Sequence, residues 1–333
     1  MADLPSIDVH AHILTEETIA ALNREAPGYR LQLRDVDGDF GTLDMGAISY
    51  PKFSRGGWDL ERRFQDMERA KFGRQLLSVL PQTVAYEEEP SLALTLSQIQ
   101  NEHIAALVKQ HPDRFLGLGT VPLQSPDAAV SELRRCMKEL DLRGIMIGSN
   151  VRGRNFDDPA LEPVWAAAAE LGAFIFIHPT TTAAAERLKD YYLRNFIGNP
   201  LDTTIAAASL VFAGVLERHP HIKIFLSHGG GFLPYQAARF VHGWGEREEA
   251  KKSLKVSPAA SLRRFLYDTI LHDRQPLEFL IGWAGADRVL LGSDYPYDMG
   301  QYDCVDLVSS LAIGEAEKAK ILGGNARALL GFA

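Results

Sequence analysis

The sequence lacks the features that are typical of disulfide-rich, membrane-spanning and secreted proteins. Its two cysteines, Cys136 and Cys304, are far apart and form no CxxC pair, so neither a disulfide framework nor a cysteine-based zinc site is indicated. No apolar run approaches the ~18 residues that a membrane span requires. The first residues, MADLPSIDVHAHIL, have neither the basic nor the apolar region of a signal peptide. We therefore expect a cytoplasmic protein with reduced thiols and no membrane partner.

Excess positive charge is also missing. The chain of 333 residues has 35 Lys and Arg against 43 Asp and Glu, which gives a net charge of -8. Because it contains no run of basic residues, nucleic acid is not expected as a partner. A small anionic substrate is compatible with this charge, since a few local arginines suffice to make a positive pocket.

What the sequence does contain is a regular alternation of short apolar runs and longer amphipathic stretches. Such runs are typical of parallel strands that are covered on both faces, and the stretches between them are typical of helices. Eight strands in this alternation predict a (β/α)8 TIM barrel, a single α/β domain over residues 1–333. The predicted strands are 7–10, 73–80, 115–121, 144–147, 174–178, 222–228, 265–269 and 288–292.

Two segments interrupt the alternation. Residues ~30–57 are polar and rich in glycine, and we expect a small hairpin insertion after the first strand. Residues ~180–200 follow the fifth strand and are too long for a simple connection between a strand and a helix. Long segments after barrel strands usually cover the active face, so we expect a lid there.

Histidines mark the ends of several predicted strands. His10, His12, His178, His228 and Asp294 all lie at or just beyond the carboxyl end of such a strand, which is the face where barrels build active sites. His10 and His12 are two residues apart, so their side chains point to the same side of the strand. Imidazole together with one carboxylate suits zinc and other late first-row divalent ions. The pattern predicts a catalytic metal centre.

Four motifs in this order resemble the metal-dependent amidohydrolase superfamily: DVHAHI, FIHP, SHGGG and LGSDYP. They are most similar to the branch that contains aminocarboxymuconate semialdehyde decarboxylase, and GTVPLQ at 119–124 and NPLDTT at 199–204 extend the resemblance. It implies that Zn2+, with Mn2+ as the alternative, is held by His10, His12, His178 and Asp294. It also implies that His228 shuttles protons, with Asp294 as the second catalytic group.

The resemblance also suggests which residues bind the substrate. It assigns Arg239, eight residues beyond HGGG, to the substrate of a neighbouring subunit, which implies a homodimer. The branch also carries an arginine upstream of a WD pair that matches Trp58–Asp59, but here Pro51 occupies that position. Lys52 and Arg55 are the displaced candidates. Because lysine does not replace a bidentate arginine clamp, this departure argues against a dicarboxylate aminomuconate substrate.

Three further features are left with open interpretations. Tyr295, which follows Asp294, either lines the substrate pocket or packs in the core, and His272, which follows a predicted strand, is a further candidate for the pocket lining. The glycines at 229–231 either bring the backbone close to a ligand or simply make a tight turn.

We expect a metal-dependent non-oxidative decarboxylase, a carboxy-lyase acting on an unsaturated or aromatic carboxylic acid. The alternative is a metal-dependent hydrolase or hydratase, because the same ligands polarise a water in each reaction. A non-catalytic metal-binding protein is the third class, and the complete ligand set argues against it.

Overall fold

The computed structural model describes residues 6–28, 30–45 and 48–332. The strands of the described residues are β1 (Ile7–His12), β2 (Leu31–Asp37), β3 (Phe40–Met45), β4 (Ile48–Ser54), β5 (Arg74–Ser78), β6 (Phe115–Gly117), β7 (Gly144–Ile147), β8 (Phe174–Ile177), β9 (Lys223–Leu226), β10 (Leu266–Asp268) and β11 (Val289–Leu290). The helices are α1 (Glu16–Glu25), α2 (Leu60–Arg69), α3 (Pro90–Gln110), α4 (Pro126–Lys138), α5 (Glu162–Leu171), α6 (Asn199–Phe212), α7 (Val215–Arg218), α8 (Leu233–Glu246), α9 (Ala259–Leu262), α10 (Arg274–Ala284), α11 (Cys304–Ser309), α12 (Glu315–Ala319) and α13 (Asn325–Leu330).

Eight of the strands form a closed parallel barrel in chain order. Hydrogen bonds join β1, β5 and β6 in one sheet and β7, β8, β9, β10 and β11 in another. A parallel bridge between Gly119 and Ile145 connects β6 to β7, and one between Ala11 and Tyr295 connects β1 to the residues after β11. The predicted TIM barrel is therefore confirmed, and each of the eight predicted strands contains or overlaps an observed one.

The strands are buried on both faces because helices cover the outside and side chains fill the inside. All six residues of β1 and all four of β8 are buried. Phe176 of β8 lies 4.8 Å from Phe225 of β9 and 4.7 Å from the His10 ring, measured between ring centroids. This aromatic layer fills the barrel interior directly beneath the histidines of β1.

Glycine divides one of the amphipathic stretches that predict helices. Residues 201–218 form two helices, α6 and α7, which are separated at Gly214, a residue with a φ of 73°. Helix α1 was not predicted, because it is only ten residues long and buries only Thr18, Ala21 and Leu22. None of the helices in the described ranges is long and apolar enough to cross a membrane.

The insertion after the first strand is a three-stranded antiparallel sheet in the order β2-β3-β4, rather than the single hairpin that was expected. Its inner face packs with Trp58 and Leu14 in an apolar cluster of its own. Phe53 of β4 stacks on Trp58 at 5.7 Å between ring centroids. This sheet thereby lies beside the carboxyl end of β1, where the metal donors begin.

Candidate metal centre and substrate cavity

Four side chains from three strand ends converge on one point. His10 and His12 belong to β1, His178 follows β8 and Asp294 follows β11. One ligand atom from each lies within 4.8 Å of the others. Asp294 Oδ1 is 3.2 Å from His10 Nε2, 3.3 Å from His12 Nε2 and 3.9 Å from His178 Nε2. The structure therefore brings together the four residues that the sequence names as ligands.

These four atoms fit a divalent ion. Each is buried and has no hydrogen-bond partner among the described residues, which is costly for a polar group unless something else binds it. Donors bound at about 2.0–2.1 Å in a tetrahedron lie about 3.3 Å apart, close to two of the three distances from Asp294 Oδ1. Three imidazole nitrogens and one carboxylate oxygen suit zinc and neighbouring divalent ions.

The other ring nitrogen of each histidine has a partner, which leaves Nε2 with its lone pair facing the cluster. Each Nδ1 lies within hydrogen-bonding distance of an oxygen. The acceptors are Asp268 Oδ2 for His10 at 2.8 Å, the Val79 carbonyl for His12 at 2.8 Å and the Pro179 carbonyl for His178 at 3.0 Å.

The charges of the cluster are strongly coupled. Burial acts to lower the pKa of His10, but Asp294 and Asp268 outweigh it and raise that pKa to about 9. Burial lowers the pKa of His12 and, more strongly, that of His178. Burial also acts to raise the pKa of Asp294, yet the neighbouring histidines hold it well below its usual range. The negative charge of Asp294 and Asp268 therefore favours positive charge at this point, which a bound cation would supply.

His228 faces the same point from the end of β9. Its Nε2 lies 3.4 Å from Asp294 Oδ2, and its Nδ1 has no hydrogen-bond partner within the described part of the chain. Its backbone NH donates to Asp268 Oδ2 at 2.8 Å, and the Gly229 NH donates to Asp268 Oδ1 at 2.7 Å. Asp268 therefore couples His10 to the turn that carries His228.

Asp268 was not singled out from the sequence. It lies inside the predicted strand 265–269, where a charged residue among apolar ones was the available signal. It is fully buried at the end of β10. Its position shows why an acidic residue belongs there, since it accepts hydrogen bonds from two elements of the site at once.

The turn at 229–231 requires glycine for its packing. All three residues have positive φ. A Cβ on Gly229 would lie 2.5 Å from Leu271, and one on Gly230 would lie 2.6 Å from Tyr267. Tight packing thus accounts for the first two glycines, whereas Gly231 also lines the cavity beside His228.

Two connected cavities open at the metal donors. One has a volume of about 360 Å3 and is lined by His178, Tyr297, Lys189 and Arg194, among others. The second has a volume of about 320 Å3 and includes His272. His228 and Asp294 border both. Such volumes are in the range of small-molecule sites, and His272 lies where it was expected.

The structure corrects the candidate assignment of Tyr295 to the pocket. This residue is buried, its hydroxyl donates to Asp66 Oδ2 at 2.7 Å, and it is not among the described residues that line the two cavities. Tyr297 faces the cavity instead, with its ring 5.5 Å from that of His12. The chain turns between these two residues, so proximity to Asp294 in sequence did not determine which tyrosine points inward.

The basic residues chosen from the sequence lie elsewhere. Lys52 is exposed on β4, and Arg55 donates to Asp59 Oδ2 at 2.7 Å. Neither is among the described residues that line the two cavities. The cations that do line one of them, Lys189 and Arg194, belong to the segment 180–200, which has no periodicity from which a facing direction could be read.

Arg239 lies on α8 at a separate surface hollow, beside Phe240 and Trp244. It is exposed and is not among the described lining residues of the metal cavities. The role that the sequence assigns to it would therefore require a second subunit.

Comparisons with known proteins agree with this geometry. The amidohydrolase family profile matches residues 7–332. The 2-amino-3-carboxymuconate-6-semialdehyde decarboxylase of Dictyostelium discoideum is 35% identical over 328 residues, which are 98% of this chain and 91% of that protein. The 5-carboxyvanillate decarboxylase of Sphingomonas paucimobilis superposes with a TM-score of 0.83 at 25% identity, covering 99% of this chain and 100% of that one. A dihydroxybenzoic acid decarboxylase of a Polaromonas species, solved with manganese and 2-nitroresorcinol, gives 0.82 at 25% identity, covering 98% and 96%.

Proposed function

Because the chain belongs to the amidohydrolase family and to its branch of aminocarboxymuconate semialdehyde decarboxylase-like enzymes, we propose that it decarboxylates an unsaturated or aromatic carboxylic acid without oxidation. One observation carries the proposal. Four buried donor atoms with no hydrogen-bond partner of their own in the described chain converge beside a cavity, which two of the donor residues, His178 and Asp294, line together with two cations. The relatives support the reaction class, a metal-dependent carboxy-lyase.

The metal ligands are His10, His12, His178 and Asp294. We take Zn2+ as the native ion, because three imidazoles and one carboxylate match its preferences. Mn2+ is the alternative, and the Polaromonas relative binds it. When bound, a divalent ion supplies Lewis-acid stabilisation of the negative charge that develops on the substrate.

His228 manages the proton. Decarboxylation breaks the bond between the carboxylate and the substrate carbon, releases CO2 and leaves an electron pair that a proton must take up. His228 Nε2 lies at the cavity wall, where it can hold that proton and deliver it. Asp294 Oδ2, 3.4 Å away, orients the imidazole towards the cavity.

The segment 180–200 is proposed to act as a lid. Tyr192 lines the cavity, and so does Asp298. The Tyr192 ring also meets Phe196 at 5.4 Å between centroids. Closure of such a segment would exclude water while the carbon is protonated.

Arg239 and the predicted homodimer belong together in this proposal. Tyr235, one helical turn before Arg239 on α8, is 79% exposed, and residues four apart share one helix face. An exposed aromatic beside a cation is typical of the anchors in subunit interfaces. The cytoplasmic location and the small anionic substrate likewise stay predictions.

The test is an assay with the zinc- and the manganese-loaded protein on aminocarboxymuconate semialdehyde, 2,6-dihydroxybenzoate and 5-carboxyvanillate, the substrate types of the relatives. We expect CO2 release from at least one of them, measured together with the product mass. A product that is heavier by one water and formed without CO2 would contradict decarboxylation and favour a hydratase. Chelated protein is the control and should be inactive.

A further inference from the structure

We propose that Arg194 binds a second anionic group of the substrate, so that this enzyme prefers acids with two negative groups over simple monocarboxylates. The inference rests on the proposed function, because it concerns the substrate of the same cavity. The missing arginine near residue 51 argued against a substrate with two carboxylates. Arg194 reverses that conclusion, because it supplies the positive charge from another part of the chain.

The charges on the cavity wall point to an anion. Lys189 and Arg194 are the cations among the described lining residues of the cavity at His178, and its acids are Asp294 and Asp298. Asp294 faces the metal donors, and among the described residues no ion pair joins Asp294 or Asp298 to Lys189 or Arg194. The two cations are therefore able to pair with an anionic ligand.

Arg194 is free to bind a ligand. Its guanidinium makes one long contact, from Nη2 to the Thr180 carbonyl at 3.5 Å, and no ion pair is found for it among the described residues. By contrast, Arg55 is paired with Asp59, and the Arg152 guanidinium is used by three carbonyls at residues 86–88. A guanidinium without a carboxylate partner beside a cavity can form the bidentate pair that arginine favours.

The position of Arg194 separates it from the reacting carbon. Besides the metal cavity, it lines an adjoining hollow of about 190 Å3 that contains none of the metal donors. Arg194 thus lies at the border between these two spaces, whereas His228 lies at the border between the metal cavity and the space beside His272. A substrate whose reacting carbon is at His228 would present a second group at Arg194.

The adjoining hollow limits how far that second group extends. Its wall includes Glu87 and Glu88, which would repel an anion that entered it fully. The second anion is therefore expected at the border, within reach of Arg194, and not at the far end of the hollow. Asn195 and Asn199, which line the metal cavity, offer neutral amides for the groups between the two charges.

Binding separates this proposal from the proposed activity. Calorimetry of the metal-loaded protein would compare isophthalate, which has two carboxylates, with benzoate, which has one. We expect wild type to bind isophthalate more tightly. Arg194→Gln should weaken isophthalate binding by about tenfold or more, the scale of a lost charged hydrogen bond, and leave benzoate nearly unchanged. Arg194→Lys should recover part of the loss, and Lys189→Gln should have a smaller effect.

Arg187→Gln is the matched control, because Arg187 is an exposed arginine of the same segment that is not among the described lining residues of either cavity. Equal losses for both ligands in Arg194→Gln, or no loss for either, would overturn the proposal. So would equal affinity of wild type for the two acids. If isophthalate selectivity depends on Arg194 but no tested acid releases CO2, the proposed function fails while the second anion site stands.

Discussion

At the scale of single residues, the hydrogen bond that each ligand histidine makes through Nδ1 determines whether its Nε2 can bind a metal. An imidazole that donates through Nδ1 keeps a lone pair on Nε2, and here the acceptors are one carboxylate and two carbonyls. The carboxylate, Asp268, also accepts from two backbone amides next to His228. One ligand, His10, and the turn that carries His228 are thus oriented by one shared acceptor.

Replacing His228 by alanine should preserve metal binding and remove most turnover. Its Nε2 lies 3.4 Å from Asp294 Oδ2, and it is not among the four donors that converge. We expect kcat to fall by about 10²- to 10⁴-fold, as for the loss of a general acid–base group. Metal analysis of the purified variant decides the role, since loss of the ion would make His228 a ligand.

Replacing Asp268 by asparagine should weaken metal binding. The amide oxygen can still accept from His10 Nδ1, but the amide NH2 cannot accept from the Gly229 NH, and the negative charge that strengthens the ligand is gone. We expect the metal affinity to fall by about 10- to 100-fold, measured by competition with a chromogenic chelator. Asp287→Asn, at an exposed site, should leave the affinity unchanged, and an equal effect in both variants would refute the role of Asp268.

At the scale of elements, the start of the segment 180–200 is fastened to α6. Asp202 of α6 is buried and accepts from the Ser149 hydroxyl, from Asn150 Nδ2 at 2.8 Å and from the Ala183 NH at 3.1 Å. At the other end, Gly198 packs against Thr182, with an added Cβ 3.0 Å from that side chain. Its two ends are thus held together, while Tyr191 between them is 87% exposed.

Replacing Asp202 by alanine should loosen this segment. The donors of Ser149 and Asn150 would lose their acceptor inside the protein, which costs about 1–3 kcal/mol of unfolding free energy per group. We expect lower stability to urea and faster proteolysis between residues 180 and 200, with a higher KM. Asp190→Ala, at an exposed position of the same segment, is the control, and equal proteolysis of the two variants would contradict the fastening role.

At the scale of the whole molecule, closure of the barrel creates the site. The Asp294 NH donates to the His10 carbonyl at 2.8 Å, although the two residues are 284 positions apart in the sequence. Asp8 of β1 reinforces this junction by accepting from the Ser293 NH and hydroxyl and from Gln75 of β5. Ligands from the first and last strands meet only when the barrel has closed.

Removing the metal should therefore destabilise the entire fold. The four donors come from β1 and from the ends of β8 and β11, so an ion that binds them stabilises only the closed barrel. With micromolar free metal and a nanomolar site, linkage predicts a fall in Tm of roughly 5 °C on chelation. Calorimetry with and without added Zn2+ measures it, and an unchanged Tm would argue that no ion binds these donors tightly.

A homodimer with shared sites predicts complementation. Mixing His228→Ala with Arg239→Ala subunits should regenerate one intact site in each mixed dimer, giving up to about a quarter of wild-type activity if subunits exchange freely. Activity assays before and after mixing test it. No recovery, together with a monomeric mass in solution, would remove Arg239 from the substrate site.

Much of the fold and of the metal centre could be predicted from the sequence. Strands buried on both faces show as continuous apolar runs, and in a barrel their carboxyl ends share one face, so His10, His12, His178, His228 and Asp294 could be placed together without coordinates. Those residues are positioned by the regular part of the fold, whose geometry follows from local pattern.

The substrate wall depended on tertiary structure. Tyr297 rather than Tyr295 faces the cavity, Arg194 rather than Lys52 or Arg55 lines it, and Asp268 bonds to two distant elements. These side chains belong to irregular segments or point inward from the barrel wall. The pattern of apolar and polar residues in the sequence does not indicate the direction in which they point. The sequence by itself determined the barrel and the metal donors, because both follow from repeating backbone geometry. Only packing between distant segments decided which charges line the cavity.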